Sequence, residues 1–264
     1  MSCASFVAGF VMDPAYPLPR VANPAVRDTR RMEMQPWSVT AVNLPEHADN
    51  PIHTDEGGRA AGFPGALVAG ITTYAAMTHL PTTAWGIEWV RSGGAFVRFR
   101  HPVLDGDLVD CVVGADGEVT AEVDGQRRAE ATFTPHAPKP DPSRSGEELE
   151  PIQLLLDESW SDYGIRSGDD SPLYAANRVA HPSAWPRIAN QFCHEQLVSG
   201  SWIHVRSRIT HLDTVEIGSH VDATAVVVER IDSRAGERAV LDVRIGSDGR
   251  PVAVIEHEAI IALA

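Results

Sequence analysis

Residues 66–80, ALVAGITTYAAMTHL, are apolar nearly all round and contain no proline. A run of that length without a polar face predicts a helix buried on every side, not a strand. A helix of this kind needs a sheet around it, and the following residues supply one. AFVRFRHPV, DLVDCVVGA, VTAEVDG and RRAEATFTP read as strands, with Asp105-Gly106, Asp116-Gly117 and Asp124-Gly125 as turn candidates. WSVTAV, at 37–42, is a short β-branched strand before the helix. This half therefore reads strand, loop, buried helix, antiparallel meander.

The order then repeats. Residues 136–152 are rich in proline, serine and charge and read as a linker. Beyond it, HPSAWPRIANQFCHEQL predicts a second helix. WIHVRSRITHL, HVDATAVVVERI, RAVLDVRIG and PVAVIEHEAIIAL follow as strands, with turns expected at Ala235-Gly236 and Asp248-Gly249. GGAFVRFR and GSWIHVRSR are local echoes of one another, so the chain reads as a duplication. The expected units are an N-terminal arm (1–36), a first half (37–135), the linker (136–152) and a second half (153–264). The fold class is α+β: two antiparallel sheets joined into one, each wrapping a central helix. A ligand crevice is expected between the halves.

Composition narrows the function classes. The net charge of −14 argues against a partner held by its phosphate backbone, which needs clustered Lys and Arg, so no nucleic acid is expected. Three cysteines, Cys3, Cys111 and Cys193, are too few and too scattered for a disulfide framework or a zinc knuckle. The first residues lack a basic region before their short apolar run, and no stretch of ~18 apolar residues occurs. A cytoplasmic protein with no membrane partner is the expectation. His194-Glu195 starts an HExxH string, but Val198 stands at the second histidine position, so no metal is expected.

The chemistry lies in Asp49-Asn50-Pro51-Ile52-His53-Thr54-Asp55, followed by Ala60-Ala61-Gly62-Phe63-Pro64 and Leu67-Val68-Ala69-Gly70. Pro51 stiffens the loop before His53 and can hold an imidazole at one position without helix support. His53 with an acidic partner can orient a water and shuttle its proton. A backbone N–H at the start of the buried helix can meet a developing oxyanion. Gly62, Gly65 and Gly70 leave room for a thin ligand arm against the backbone.

These pieces, in this order, resemble the MaoC-like dehydratases, the (R)-specific enoyl-CoA hydratases of hotdog fold. The resemblance is strong over residues 37–135 and weaker over 153–264. It implies a double hotdog that acts on an acyl thioester of CoA or acyl-carrier protein without a dissociable cofactor, and it allows a homodimer. It implies His53, Asp49, Asn50 and the Gly70 amide as the catalytic set. Gly62, Phe63, Arg98 and Arg100 are the expected substrate contacts, the two arginines toward CoA phosphates. One departure matters. The family acid stands five residues before the histidine, where this chain has Ala48, and the usual glycine before it is His47. Either Asp49 serves through a one-residue slip, or Glu46 reaches in, or the dyad is broken. The leading activity is reversible hydration of an enoyl thioester to the (R)-3-hydroxyacyl thioester. An acyl-CoA thioesterase and a non-catalytic acyl-CoA-binding subunit are the alternatives.

Each residue also has a plainer reading. His53 can be a solvated loop histidine, and Asn50 a turn residue bonding its own backbone. Asp55 reads as an N-cap or first-turn acid of a short helix through Arg59. Gly70 can be a helix-packing glycine, and Arg98 and Arg100 an exposed strand face. Asn177 to Pro182 faintly resembles the loop before the helix of hotdog thioesterases. Trp185, Phe192 and Trp202 are core or tunnel lining.

Overall fold

The structure is a computed structural model that describes residues 33–264. The expected N-terminal arm therefore lies, but for residues 33–36, outside the described residues. Strand β1 (Trp37–Thr40) leads through two short 3-10 turns to helix α1 (Asp55–Ala60) and the long α2 (Gly70–Ser92). Strands β2 (Gly94–Phe99), β3 (Leu108–Val113), β4 (Glu118–Val123) and β5 (Gln126–Thr134) complete the first half. Short strands β6 (Glu147–Glu148) and β7 (Ile152–Leu155) precede α3 (Tyr163–Arg166), α4 (Leu173–Asn177) and α5 (Ala184–Gln196). Strands β8 (Ile203–His211), β9 (His220–Ser233), β10 (Gly236–Ser247) and β11 (Arg250–Leu263) close the chain.

All strands join one antiparallel sheet whose spatial order is β1-β3-β4-β5-β2-β8-β11-β10-β9-β6, with β7 also on β9. Within that order lie two copies of one pattern: β1-β3-β4-β5-β2, and β7-β9-β10-β11-β8. In each, the strand before the central helix lies at the outside. The first strand after the helix pairs with the last strand of its half. The copies meet where β2 and β8 pair antiparallel, Gly94 opposite Thr210 through Arg98 opposite Arg206. Each half thus covers the sheet edge that the other would leave open.

The sheet carries α2 and α5 against one face. Tyr74, Met77, Leu80 and Trp89 of α2 and Trp185, Ile188 and Phe192 of α5 are fully buried in one core with strand residues from both halves. The helix expected over 66–80 spans Gly70–Ser92 instead: it starts four residues later and runs on through Pro81, with its break at Gly86, where φ is 63°. Proline removes one helix hydrogen bond, costing about 3 kcal/mol. Here buried side chains before it, with Trp89 and Val90 beyond, outweigh that loss.

The turns follow their residues with one exception. Asp124-Gly125 and Asp248-Gly249 adopt positive φ at both positions, the two-residue turn that matches strand twist. Asp105-Gly106 joins β2 to β3, which are not neighbours, so it makes no hairpin. The Pro-rich stretch is partly ordered by the sheet. Glu147 and Glu148 pair with β9, and the Arg144 amide donates to Asp242 Oδ2 at 2.8 Å.

Candidate active site

The loop around His53 is built by short-range bonds. Asn50 caps the 3-10 turn Pro51–His53, accepting from the Ile52 amide, and Pro51 starts that turn. Thr54 caps α1, accepting from the Gly57 amide, with Asp55 in the first helical turn. Asp55 Oδ1 also accepts from the Ala66 amide at 3.1 Å and so ties the start of α1 to the approach to α2. The fit is close: a Cβ on Gly57 would stand 2.0 Å from the Pro51 carbonyl oxygen, and one on Gly58 2.1 Å from that of Gly65.

Those bonds set the histidine's tautomer. His53 Nδ1 lies 2.8 Å from the Leu67 carbonyl oxygen, which can only accept, so Nδ1 carries the proton and Nε2 the lone pair. Asn50 agrees with this assignment. Its Oδ1 accepts from the Ile52 and Trp202 amides, its Nδ2 donates to the Trp202 carbonyl at 3.0 Å, and Nδ2 also stands 3.5 Å from His53 Nε2. One buried asparagine therefore orients the imidazole and ties the first half to the second. Burial pushes the His53 pKa below its ordinary value, against the opposing pull of the Leu67 carbonyl. The ring is neutral at pH 7, as a general base requires.

His53 faces a cavity of about 300 Å³ between the halves. Asn50, Asp49, Gly70, Phe63 and Arg100 all line it. Gly70 opens α2 behind Ala69, which supplies no side-chain cap. The Thr72 and Thr73 amides turn back to the Ala69 carbonyl. The Gly70 and Ile71 amides stand at the positive end of the helix dipole, on the cavity wall.

Two expected contacts lie elsewhere. Gly62 is an exposed turn glycine with φ of 87° and is outside the lining. Arg98 is buried in β2, next in register to Glu130 and Arg206, and is outside the lining as well. It sits there because β2 is a central strand flanked on both sides. Arg100, one step beyond the strand, reaches the cavity while ion-paired with Glu130.

The carboxylates divide. Glu46 is held by Arg166 at 2.5 Å. Burial pushes its carboxyl up, and the Arg166 guanidinium more than offsets this, leaving it below its usual value. Asp49 is exposed at the cavity and has no ion pair among the described residues. No carboxylate bonds to His53 among the described residues. Beside His53 stands His47, ring centroids 5.9 Å apart, with Nε2 2.8 Å from the Tyr163 hydroxyl. Burial, then the neighbouring His53, pushes His47 down to about 4. The second half adds Arg187, Asn190, Gln191 and His194 from α5, with Trp202 and His204. No motif in the sequence marks His47 or the α5 residues, because topology alone brings them here. Of the aromatic residues read as core or tunnel, Trp185 and Phe192 are core and Trp202 lines the cavity.

The matching end of α5 is closed. His181 is fully buried, its Nδ1 2.8 Å from Ser183 Oγ and its Nε2 3.5 Å from Thr78 Oγ1 on α2. Tyr163 and Tyr174 reach Thr72 and Thr82 of α2 at 2.8 and 2.9 Å. Side chains thus fill the space where a second site would open.

A family model described as "MaoC like domain" matches residues 40–133, a stretch that holds the His53 loop, α2 and the first meander. That stretch is where the chain is similar to the MaoC-like family. No curated protein matches the chain in sequence. Solved structures resemble the whole chain in fold. A conserved hypothetical protein of Mycobacterium tuberculosis with a double hotdog fold is 11% identical, covering 86% of this chain and 96% of its own, at a TM-score of 0.60. A protein of Chloroflexus aurantiacus assigned as a MaoC domain dehydratase is 9% identical, covering 88% and 96%, at 0.58. A protein of Lactobacillus plantarum assigned as an oleoyl thioesterase is 12% identical, covering 86% and 96%, at 0.53. The fold is thus a hotdog fold that hosts both kinds of assignment.

Proposed function

We propose that this protein adds water reversibly to an enoyl thioester, giving the (R)-3-hydroxyacyl thioester. Its two halves, 37–135 and 153–264, act as two hotdog units, only the first of which keeps its chemistry. The observation that carries this reading is the shared wall: a histidine whose Nε2 lone pair is fixed, beside an uncapped helix N-terminus, in a cavity between the halves. The thioester oxygen accepts from the Gly70 amide. A water rests between His53 Nε2 and the Asp49 carboxylate. His53 takes one proton as the hydroxyl bonds to C3. The π electrons move through C2 toward the thioester oxygen, where the α2 N-terminus stabilises the enolate. The His53 imidazolium then returns its proton to C2, and the base is restored. No dissociable cofactor enters, because the thioester itself acidifies C2.

Thioester hydrolysis is the second reading. It is favoured by the lack, among the described residues, of a carboxylate bonded to His53, since water attack on the carbonyl needs only a base and an oxyanion site. Loss of enoyl absorbance without release of free thiol supports hydration. Thiol release supports hydrolysis. Neither, with ligand still raising the melting temperature, supports a binding subunit.

A further inference from the structure

Resting on the thioester reading, we propose that the acyl group carries a carboxylate near its far end and that Arg187 on α5 pairs with it. The cavity has an apolar side from the first half, Ile52, Val68, Ile71 and Phe99. Trp202 and Ile203 of the second half add to it, but the side formed by α5 is not apolar. Arg187, Asn190, Gln191 and His194, at spacings of three and four, put one polar stripe of α5 on the cavity, while Ile188, Ala189, Phe192 and Cys193 take the buried face. A plain alkyl chain laid against that stripe would desolvate it without replacing a single hydrogen bond.

Arg187 is the centre of the stripe. Its guanidinium stacks over Trp160, 4.4 Å from the ring centroid, and lies 5.8 Å from that of Tyr163. Among the described residues its Nη1 is buried without a hydrogen-bond partner, and so is Asn190 Oδ1 one turn on. The cavity's acids do not neutralise it. Glu46 belongs to Arg166, Glu195 accepts from Gln191, and Asp49 has no ion pair among the described residues. Arg187 has no ion pair among the described residues either, whereas Arg100, in the same lining, has Glu130. Trp160 and the hydrogen-bonded set Tyr163, His47 and Thr72 hold the cation in place before any ligand arrives. A carboxylate accepts from a guanidinium in bidentate fashion, and a ligand hydroxyl beside it would donate to Asn190 Oδ1.

The anionic oxygens that meet Arg187 could come from the acyl group or from a CoA phosphate, and binding separates the two. Stable thioethers remove turnover from the measurement: S-butyl-CoA against S-(3-carboxypropyl)-CoA, equal in chain length. Calorimetry on the full chain is expected to show the carboxylate form bound roughly 10- to 100-fold more tightly. Arg187→Gln should bring that ratio to about one while leaving S-butyl-CoA affinity unchanged, and Arg187→Lys should keep part of the preference. Equal affinities in the unmodified protein would overturn the proposal. So would an Arg187→Gln variant that loses both ligands equally, which would make Arg187 a phosphate contact. If the protein binds neither thioether, the thioester reading falls and takes this inference with it. If S-butyl-CoA alone binds, the thioester reading stands and the inference fails.

Discussion

At the scale of single residues, the site depends on which nitrogen of His53 carries a proton, and neighbouring backbone makes that choice. The Leu67 carbonyl fixes Nδ1–H, and the Asn50 amide, itself oriented by Trp202 and Ile52, faces Nε2. Replacing His53 with Ala should lower turnover by ~10²–10⁴, the usual scale for a general acid–base group, with little change in thioether affinity. Asp49→Asn should lower turnover at least tenfold if its carboxylate holds the water, and Ala48→Asp, which restores the family spacing, should raise turnover. Because burial holds the His53 pKa below its ordinary 6.5, the acid limb of kcat/KM should fall below pH 6.5, with activity full above it. A limb centred above 6.5 would contradict this environment. His53, Asn50, Asp49 and Gly70 were legible in the sequence as one motif. His47 and Arg187 were not, since they depend on the distant Tyr163 and on which face of α5 turns inward.

Among elements, the loop from Asn50 to Ala69 behaves as a jig for the start of α2. Gly57 and Gly58 pass so near Pro51 and Gly65 that any side chain displaces the backbone. Gly57→Ala should destabilise the fold by about 2–4 kcal/mol and lower turnover further than that instability explains. Gly62→Ala has open space at its Cβ, so it should pay only the strain of a positive φ, on the order of 1–3 kcal/mol, and leave KM unchanged. Denaturant midpoints and steady-state kinetics on both variants check this. Strand positions were readable from alternation and turn residues. The continuation of α2 past Pro81 was not, because local propensity argues for a stop and only the surrounding core argues against it.

For the whole molecule, duplication gives one sheet with two central helices among the described residues, but of the two helix starts only that of α2 opens on the His53 cavity. The β2–β8 pairing and the Asn50–Trp202 bonds make the halves interdependent. One cooperative unfolding transition is the expected outcome, whether followed by tryptophan fluorescence or by far-UV circular dichroism. Burial drives His47, His181 and His211 down to about 4 and His257 to about 3. Their unfolded pKa is near 6.5, so the unfolded chain binds protons that the folded chain refuses. Their contribution to stability is therefore full above pH 6.5 and is lost as pH falls from there toward 4. The order of elements was visible in the sequence. The closure of the second site was not, since it requires Tyr163, Tyr174 and His181 to meet threonines on α2. The central claim, that the open site hydrates enoyl thioesters, is tested most directly with crotonyl-CoA, recording enoyl absorbance and free thiol in one reaction. The prediction is loss of absorbance with no thiol, reversed from (R)-3-hydroxybutyryl-CoA and abolished in His53→Ala. Thiol release, or unchanged absorbance with the unmodified protein, would contradict it.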